Sequence, residues 1–213
     1  MIAKRILLLC AIFIVCFAAI EVVAAEDSAP AIECDVKLLR GQNFYRFGDS
    51  SLFTLTSGRR SLVEGATLLT SFDGQMIVVT GEDTAATEFR LKENTSLALQ
   101  KKFSCEVRKG TVGFRLASES EKLAVATPHV RVEATAEAIF VIKVNSVLTR
   151  IGVIKGKIDI FRGNNLEPAE KLPAGREIAA AQGRLSQLYS CSDELRYTWY
   201  WTTPEKEPAL QLE

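Results

Sequence analysis

The chain has 213 residues with 26 basic and 26 acidic side chains, a single histidine and 47% hydrophobic residues. That length allows one domain with a substantial core. Opposite charges are balanced and interspersed, so no basic patch or stripe points to nucleic acid or an anionic membrane surface.

Residues 1–25 have the layout of a cleaved export signal. Lys4 and Arg5 precede an apolar run of 15 residues from Ile6 to Ile20, and Val23-Ala24-Ala25 stands before Glu26. The run is shorter than the ~20 residues that span a bilayer. The expectation is therefore an exported protein, periplasmic or secreted, with no membrane span in its mature form; the alternative is an uncleaved anchor. Cys10 and Cys16 lie in the apolar run without the small-residue context of a lipoprotein site. Loss of Lys4, Arg5 and Glu21 leaves 24 basic and 25 acidic residues, a net charge of −1.

Residues 26–61 read as a short leader and N-terminal strands. Ile32 to Leu38 alternates, and Phe44 to Phe47 and Leu52 to Thr56 follow around the turn signal Gly48-Asp49. Residues 62–182 form the β centre. Asp73-Gly74 makes a tight turn before Met76 to Thr80, and residues 81–87 are polar. Short strands are then expected at Glu88 to Leu91 and Ser96 to Leu99. In Val107 to Leu116 a glycine turn precedes Val112, Phe114 and Leu116 at alternate positions. That is the period of a half-buried strand. Leu123 to Ala126 ends before Pro128, and Asn145-Ser146 reads as a hairpin turn between alternating segments. Val153 to Ile160 repeats the plan of Val107 to Leu116.

One unit recurs: an apolar residue, two others, then glycine. It occurs at Leu62–Gly65, Val107–Gly110, Val153–Gly156 and Leu172–Gly175, the first three glycines lying 45 and 46 residues apart. A glycine at each junction supplies a backbone conformation that a Cβ penalises. The expected fold is all-β: a twisted β-roll or solenoid-like stack of short, mainly antiparallel strands, with a short C-terminal helical segment. In residues 183–213, Leu185, Leu188 and Tyr189 have helical spacing, and Ser192-Asp193-Glu194 resembles a helix start before Leu195. The prolines from Pro204 onward mark a loose tail.

With these pieces in order, Leu62 to about Ala180 resembles the FecR domain family. The matching residues are Leu62-x-x-Gly65 with Leu69-Thr70, Phe89-x-Leu91 with Ser96-x-Ala98, and Val107-x-x-Gly110-x-Val112-x-Phe114. Val125-Ala126-Thr127-Pro128, Phe140-x-Ile142, Val153-x-x-Gly156-x-Ile158 and Leu172-x-x-Gly175 follow. The resemblance implies a standalone bacterial envelope protein whose β domain binds or scaffolds, and it transfers no catalytic residue. Sigma regulators of this family carry a cytoplasmic segment before a membrane helix, whereas three residues precede the basic pair here. The chain is thus not expected to hold a sigma factor itself. The family's Gly-Thr-x-Phe element is replaced by Ala136-Glu137-Ala138-Ile139-Phe140, so that turn is expected to be remodelled.

Sets of residues able to carry chemistry are sparse. His129 follows Thr127-Pro128 and is expected to be a turn residue, since a metal site or general base needs partnered ligands. Glu88, Glu93 and Asp159 offer a notional carboxylate pair but read as outward strand or turn positions. Catalytic elbows, zinc motifs and phosphate loops are missing from the sequence. The expectation is a protein that is not an enzyme and has no cofactor or metal site. Asn94-Thr95-Ser96 matches a glycosylation acceptor, which has no meaning in a bacterial source.

The remaining cysteines after export are Cys34, Cys105 and Cys191. They allow one disulfide of unknown pairing in an oxidising compartment. Tyr189, Tyr197, Trp199, Tyr200 and Trp201 concentrate aromatic residues near the C-terminus. Tyr197, Trp199, Tyr200 and Trp201 are the candidate contact for an envelope protein partner. A glycan stacked on Tyr197, Trp199 and Trp201 is the alternative, and docking of the segment across one end of the β domain is the plain structural reading.

Overall fold

The computed structural model describes residues 30–81, 85–101, 103–117, 122–135 and 137–200. Residues 1–25, where an export signal is expected, lie outside the described residues, as do Trp201 and the tail. The chain forms β1 (Ala31–Arg40), β2 (Asn43–Phe47), β3 (Phe53–Thr54), β4 (Gly58–Val63), β5 (Ala66–Thr70) and β6 (Gln75–Thr80). It continues as β7 (Thr87–Leu91), β8 (Ser96–Lys101), β9 (Ser104–Leu116), β10 (Leu123–Ala126), β11 (Arg131–Ala134) and β12 (Ile139–Val144). The last elements are β13 (Thr149–Lys155), β14 (Lys157–Phe161), β15 (Glu170–Pro173), β16 (Arg176–Ala181), β17 (Arg184–Leu185), β18 (Tyr189–Ser190) and the helix α1 (Asp193–Tyr200).

The all-β expectation holds, in an open arrangement of two layers. The first layer has the order β4-β1-β6-β7-β9-β12-β13-β16, with β17 and β18 both against β16. The second has the order β3-β2-β5-β8-β9-β10-β11-β14-β15. Among the described residues every pairing is antiparallel except β9 with β10. Strand β9 belongs to both layers, its first half against β8 and β10 and its second half against β7 and β12.

The recurring glycine unit marks four of the places where the chain changes layer. Gly65 lies between β4 and β5, Gly110 within β9, Gly156 between β13 and β14, and Gly175 between β15 and β16, all with φ from +77° to +92°. The apolar residue three before each glycine is buried. At Gly110 a register shift leaves Arg108 unopposed, and an added Cβ would collide with Thr95. Both the positive φ and the close approach require glycine there.

Inward-facing residues of both layers form one core. At its centre Phe89, Phe114 and Phe140 stand opposite one another on β7, β9 and β12. Phe89 meets Phe114 edge-on at 5.8 Å, and Phe114 stacks on Phe140 at 4.8 Å. Burial of each ring contributes about 1.5–3 kcal/mol.

Two local expectations change. Leu185 and Tyr189 lie in strands rather than a helix, because the edge of β16 offers free amides and carbonyls that β17 and β18 satisfy. The strand expected over Leu52 to Thr56 shortens to Phe53–Thr54. In the turn before Phe140, Glu137 takes a left-handed conformation at φ +49°.

Candidate functional site

Outward-facing residues of the first layer form a row across five strands. Arg90 on β7 is opposite Gly113 on β9, which is opposite Val141 on β12; Val141 is opposite Gly152 on β13, and Gly152 is opposite Glu177 on β16. Two glycines in this row leave it shallow, and α1 lies on it. A Cβ at Gly113 would sit 2.9 Å from the Trp199 ring. A Cβ at Gly152 would sit 2.8 Å from both Cys191 Sγ and Leu195 Cδ1. Glycine inside a central strand here serves the close approach of another element. Val141, Cys191, Leu195 and Trp199 then close a second, small apolar cluster, flanked by Ile139 and Ile154.

The ends of the row carry the charges that suit the ends of a helix. Glu177, 6% exposed, accepts a hydrogen bond from the Ser192 backbone N–H at 3.0 Å just before the first turn. The Ser192 carbonyl accepts from Leu195 and Arg196 N–H, each at 3.1 Å, which is the geometry of a helix start. Arg90, also 6% exposed, donates from Nη1 to the Trp199 carbonyl at 2.9 Å, and its guanidinium lies 3.8 Å from the Trp199 ring centre. A carboxylate at the N-terminus and a cation at the C-terminus both favour the helix dipole, and the stacked guanidinium adds a cation–π attraction.

A second set of ion pairs fixes the sides. Arg150 on β13 donates to Glu177 at 2.7 Å, to Glu194 at 2.7 Å and to the Ser192 hydroxyl at 3.1 Å. Glu194 also accepts from Lys143 on β12. Hydrogen bonds from Lys143 and Arg150 hold the Glu194 carboxyl below its ordinary range, against a smaller opposing effect of burial. Arg90 is itself paired with Glu88 at 2.5 Å, and Glu88 lies 3.9 Å from Arg115.

This seat divides the candidate aromatic contacts. Trp199 is 6% exposed and faces the sheet, whereas Tyr197 and Tyr200 are 52% and 53% exposed on the other side of the helix. Tyr189, on β18, is also exposed. Trp201 lies outside the described residues.

The other singled-out residues are dispersed. Glu88 serves Arg90, and Asp159 sits on β14 opposite Lys171. Glu93 accepts from Arg40 at 2.6 Å and from Gln75. Burial works to raise the Glu93 carboxyl, but its own backbone N–H, Gln75, Lys92 and Arg40 together bring it below its ordinary value. Cys34, Cys105 and Cys191 are free, buried thiols. Burial, reinforced by Glu33 and Asp35, pushes Cys34 up to about 11, and burial raises Cys105 and Cys191 too. His129 is a turn residue whose Nε2 lies 2.9 Å from the Val147 carbonyl.

Gly113 and Gly152 were not among the sequence candidates. Their signal was present in Val112-Gly113-Phe114 and Ile151-Gly152-Val153, each a glycine in the outward position between two core residues.

No protein-family profile matches the chain, and no curated protein sequence matches it. Two crystal structures of "a putative anti-sigma factor from Parabacteroides distasonis" are partly similar to it. Their identities are 15% and 14%, with TM-scores of 0.48 and 0.47. The similarity covers 63% of this chain in both cases, and 64% and 63% of those chains. The chain thus spans a little under two thirds of their length.

Proposed function

We propose that this is an exported, non-catalytic FecR-like β domain that binds a protein of the cell envelope, as a sensor or scaffold, through Tyr197 and Tyr200. The observation that carries the reading is the display of these two rings by a helix anchored at both ends. They are three residues apart and share a face, while Leu195 and Trp199 on the opposite face are buried. Rigid, half-exposed tyrosines give contact area at small entropic cost, which suits a protein interface. The leader-like residues 1–25 support the compartment, and the four apolar-x-x-Gly units support the FecR-like reading. A glycan platform of Tyr197, Trp199 and Trp201 is disfavoured because the Trp199 ring is engaged by Arg90.

The test is capture of the tagged chain after cross-linking in its native envelope, alongside a Tyr197→Ala, Tyr200→Ala variant. A discrete protein partner recovered with the parent chain and lost with the variant is expected. Equal recovery by both, or recovery of wall glycan alone, overturns the reading.

A further inference from the structure

We propose that the groove at the β9 crossing binds a small amphipathic carboxylate: an apolar body carrying one negative charge. The site lies apart from the tyrosine surface and does not depend on it. Three loops meet there: the β7–β8 turn at Asn94, the β10–β11 turn at Pro128 and His129, and the β12–β13 hairpin at Val144 to Ser146. Gly110 and the two residues before it form the fourth wall. The cavity measures about 500 Å³, within the range of small-ligand sites, about 300–1,000 Å³.

Its chemistry is one-sided. Pro128, Val144 and the bare backbone of Gly110 contribute apolar lining. Arg108, Lys109 and His129 contribute the ionisable groups, and no lining residue is acidic. Arg108 is already held by Glu106 at 2.9 Å. Lys109 has no ion pair among the described residues, so it supplies the unbalanced positive charge. The bulge that brings Arg108 and Lys109 to the rim is the same one that makes Gly110 obligatory.

His129 adds a directional group. The Val147 carbonyl can only accept, so Nε2 carries the hydrogen of that 2.9 Å contact. In the neutral ring Nδ1 is then a bare acceptor, and it is buried with no partner. Nδ1 and a carboxylate are both acceptors and do not bond directly, so a carboxylate would meet this nitrogen through a water that donates one hydrogen to Nδ1 and the other to the carboxylate. An apolar lining with one unpaired cation selects a carboxylate joined to a hydrocarbon, rather than a bare anion or a neutral hydrocarbon.

The probe is 4-phenylbutyrate, compared with 4-phenylbutanol (same body, no charge) and acetate (same charge, no body). Binding to the full chain is followed by amide chemical shifts and calorimetry. Phenylbutyrate is expected to shift the amides of Asn94, Lys109, Gly110, His129 and Asn145, and to bind more tightly than either control. Lys109→Glu, an exposed change that leaves the thermal midpoint in place, should weaken phenylbutyrate about tenfold without affecting the alcohol. His129→Ala, which removes the orphaned nitrogen, should weaken it as well. The proposal is overturned by undetectable phenylbutyrate binding at millimolar concentration, or by shifts confined to other surfaces. Equal affinity for acid and alcohol, or an affinity that Lys109→Glu does not change, overturns it equally.

Discussion

The inner and outer faces of the first layer are made by the same strands yet are filled in opposite ways. Strand β9 sends Val112, Phe114 and Leu116 inward and Gly113 outward; β13 sends Ile151 and Val153 inward and Gly152 outward. On the inner face large side chains fill the space between layers. On the outer face the strands withdraw their side chains, and a helix supplies Trp199 and Leu195 in their place. A core can thus be built from what a strand carries or from what it omits. The first kind is shared among many strands. The second rests on a few contacts, so the helix is the element expected to open before the layers do.

The strongest way to break this contrast is at the aromatic centre. Phe114→Ala removes the middle ring of the Phe89–Phe114–Phe140 set and should cost about 3–5 kcal/mol of global stability, read from denaturant unfolding. A cost below about 1 kcal/mol, the range of tolerated core swaps, would show that the inner face does not depend on this packing. Next in size is the seat. Trp199→Ala should weaken helix docking by about 3 kcal/mol, and Gly113→Val should do the same by placing a side chain under the ring. Hydrogen exchange should then quicken in Asp193–Tyr200 while β9 and β12 keep their protection. Equal loss of protection in the helix and the strands would make the two faces a single cooperative unit.

The smallest effect is electrostatic. Glu194 titrates below its ordinary range because Lys143 and Arg150 favour its charged form. A carboxyl lowered in this way adds stability that is complete above its unfolded pKa and is lost as the pH falls through the folded one. Helix protection should therefore decline on acidification below about pH 4. In Glu194→Gln the decline should be shallower. Because the Glu194 side chain is 50% exposed, the difference between the two should shrink in high salt.

Much of this was legible in the sequence. Alternation identified β9, β12 and β13, and the apolar-x-x-Gly units identified the corners before their role as layer crossings was known. The helix start at Ser192 was legible from its capping pattern. Its phase was missed in the expectation of one contact surface from Tyr197, Trp199 and Tyr200, although helical spacing puts Trp199 with Leu195 on one face and the two tyrosines on the other. What the sequence withheld depends on distant partners. Nothing local to Arg90 or Glu177 distinguishes them from ordinary solvent-facing charges of a strand; they are set apart by a helix whose carbonyl lies 109 residues away from Arg90. The assignment of strands to layers was hidden for the same reason. Tyr189 in β18 shows the complementary failure: helical spacing was present, but an open strand edge was available and won.

The crossings at Gly65, Gly110, Gly156 and Gly175 have a mechanical consequence. A sandwich tied only at its ends can shear, one layer sliding over the other. Here the chain passes between the layers at these four left-handed corners and also at the β1–β2, β3–β4, β5–β6, β7–β8 and β11–β12 connections, and a slide would have to deform all of them together. Shear between the layers is thereby expected to be strongly opposed. The tyrosine helix on one layer and the groove at the β9 corner remain at a fixed separation, like two fittings on a single casting.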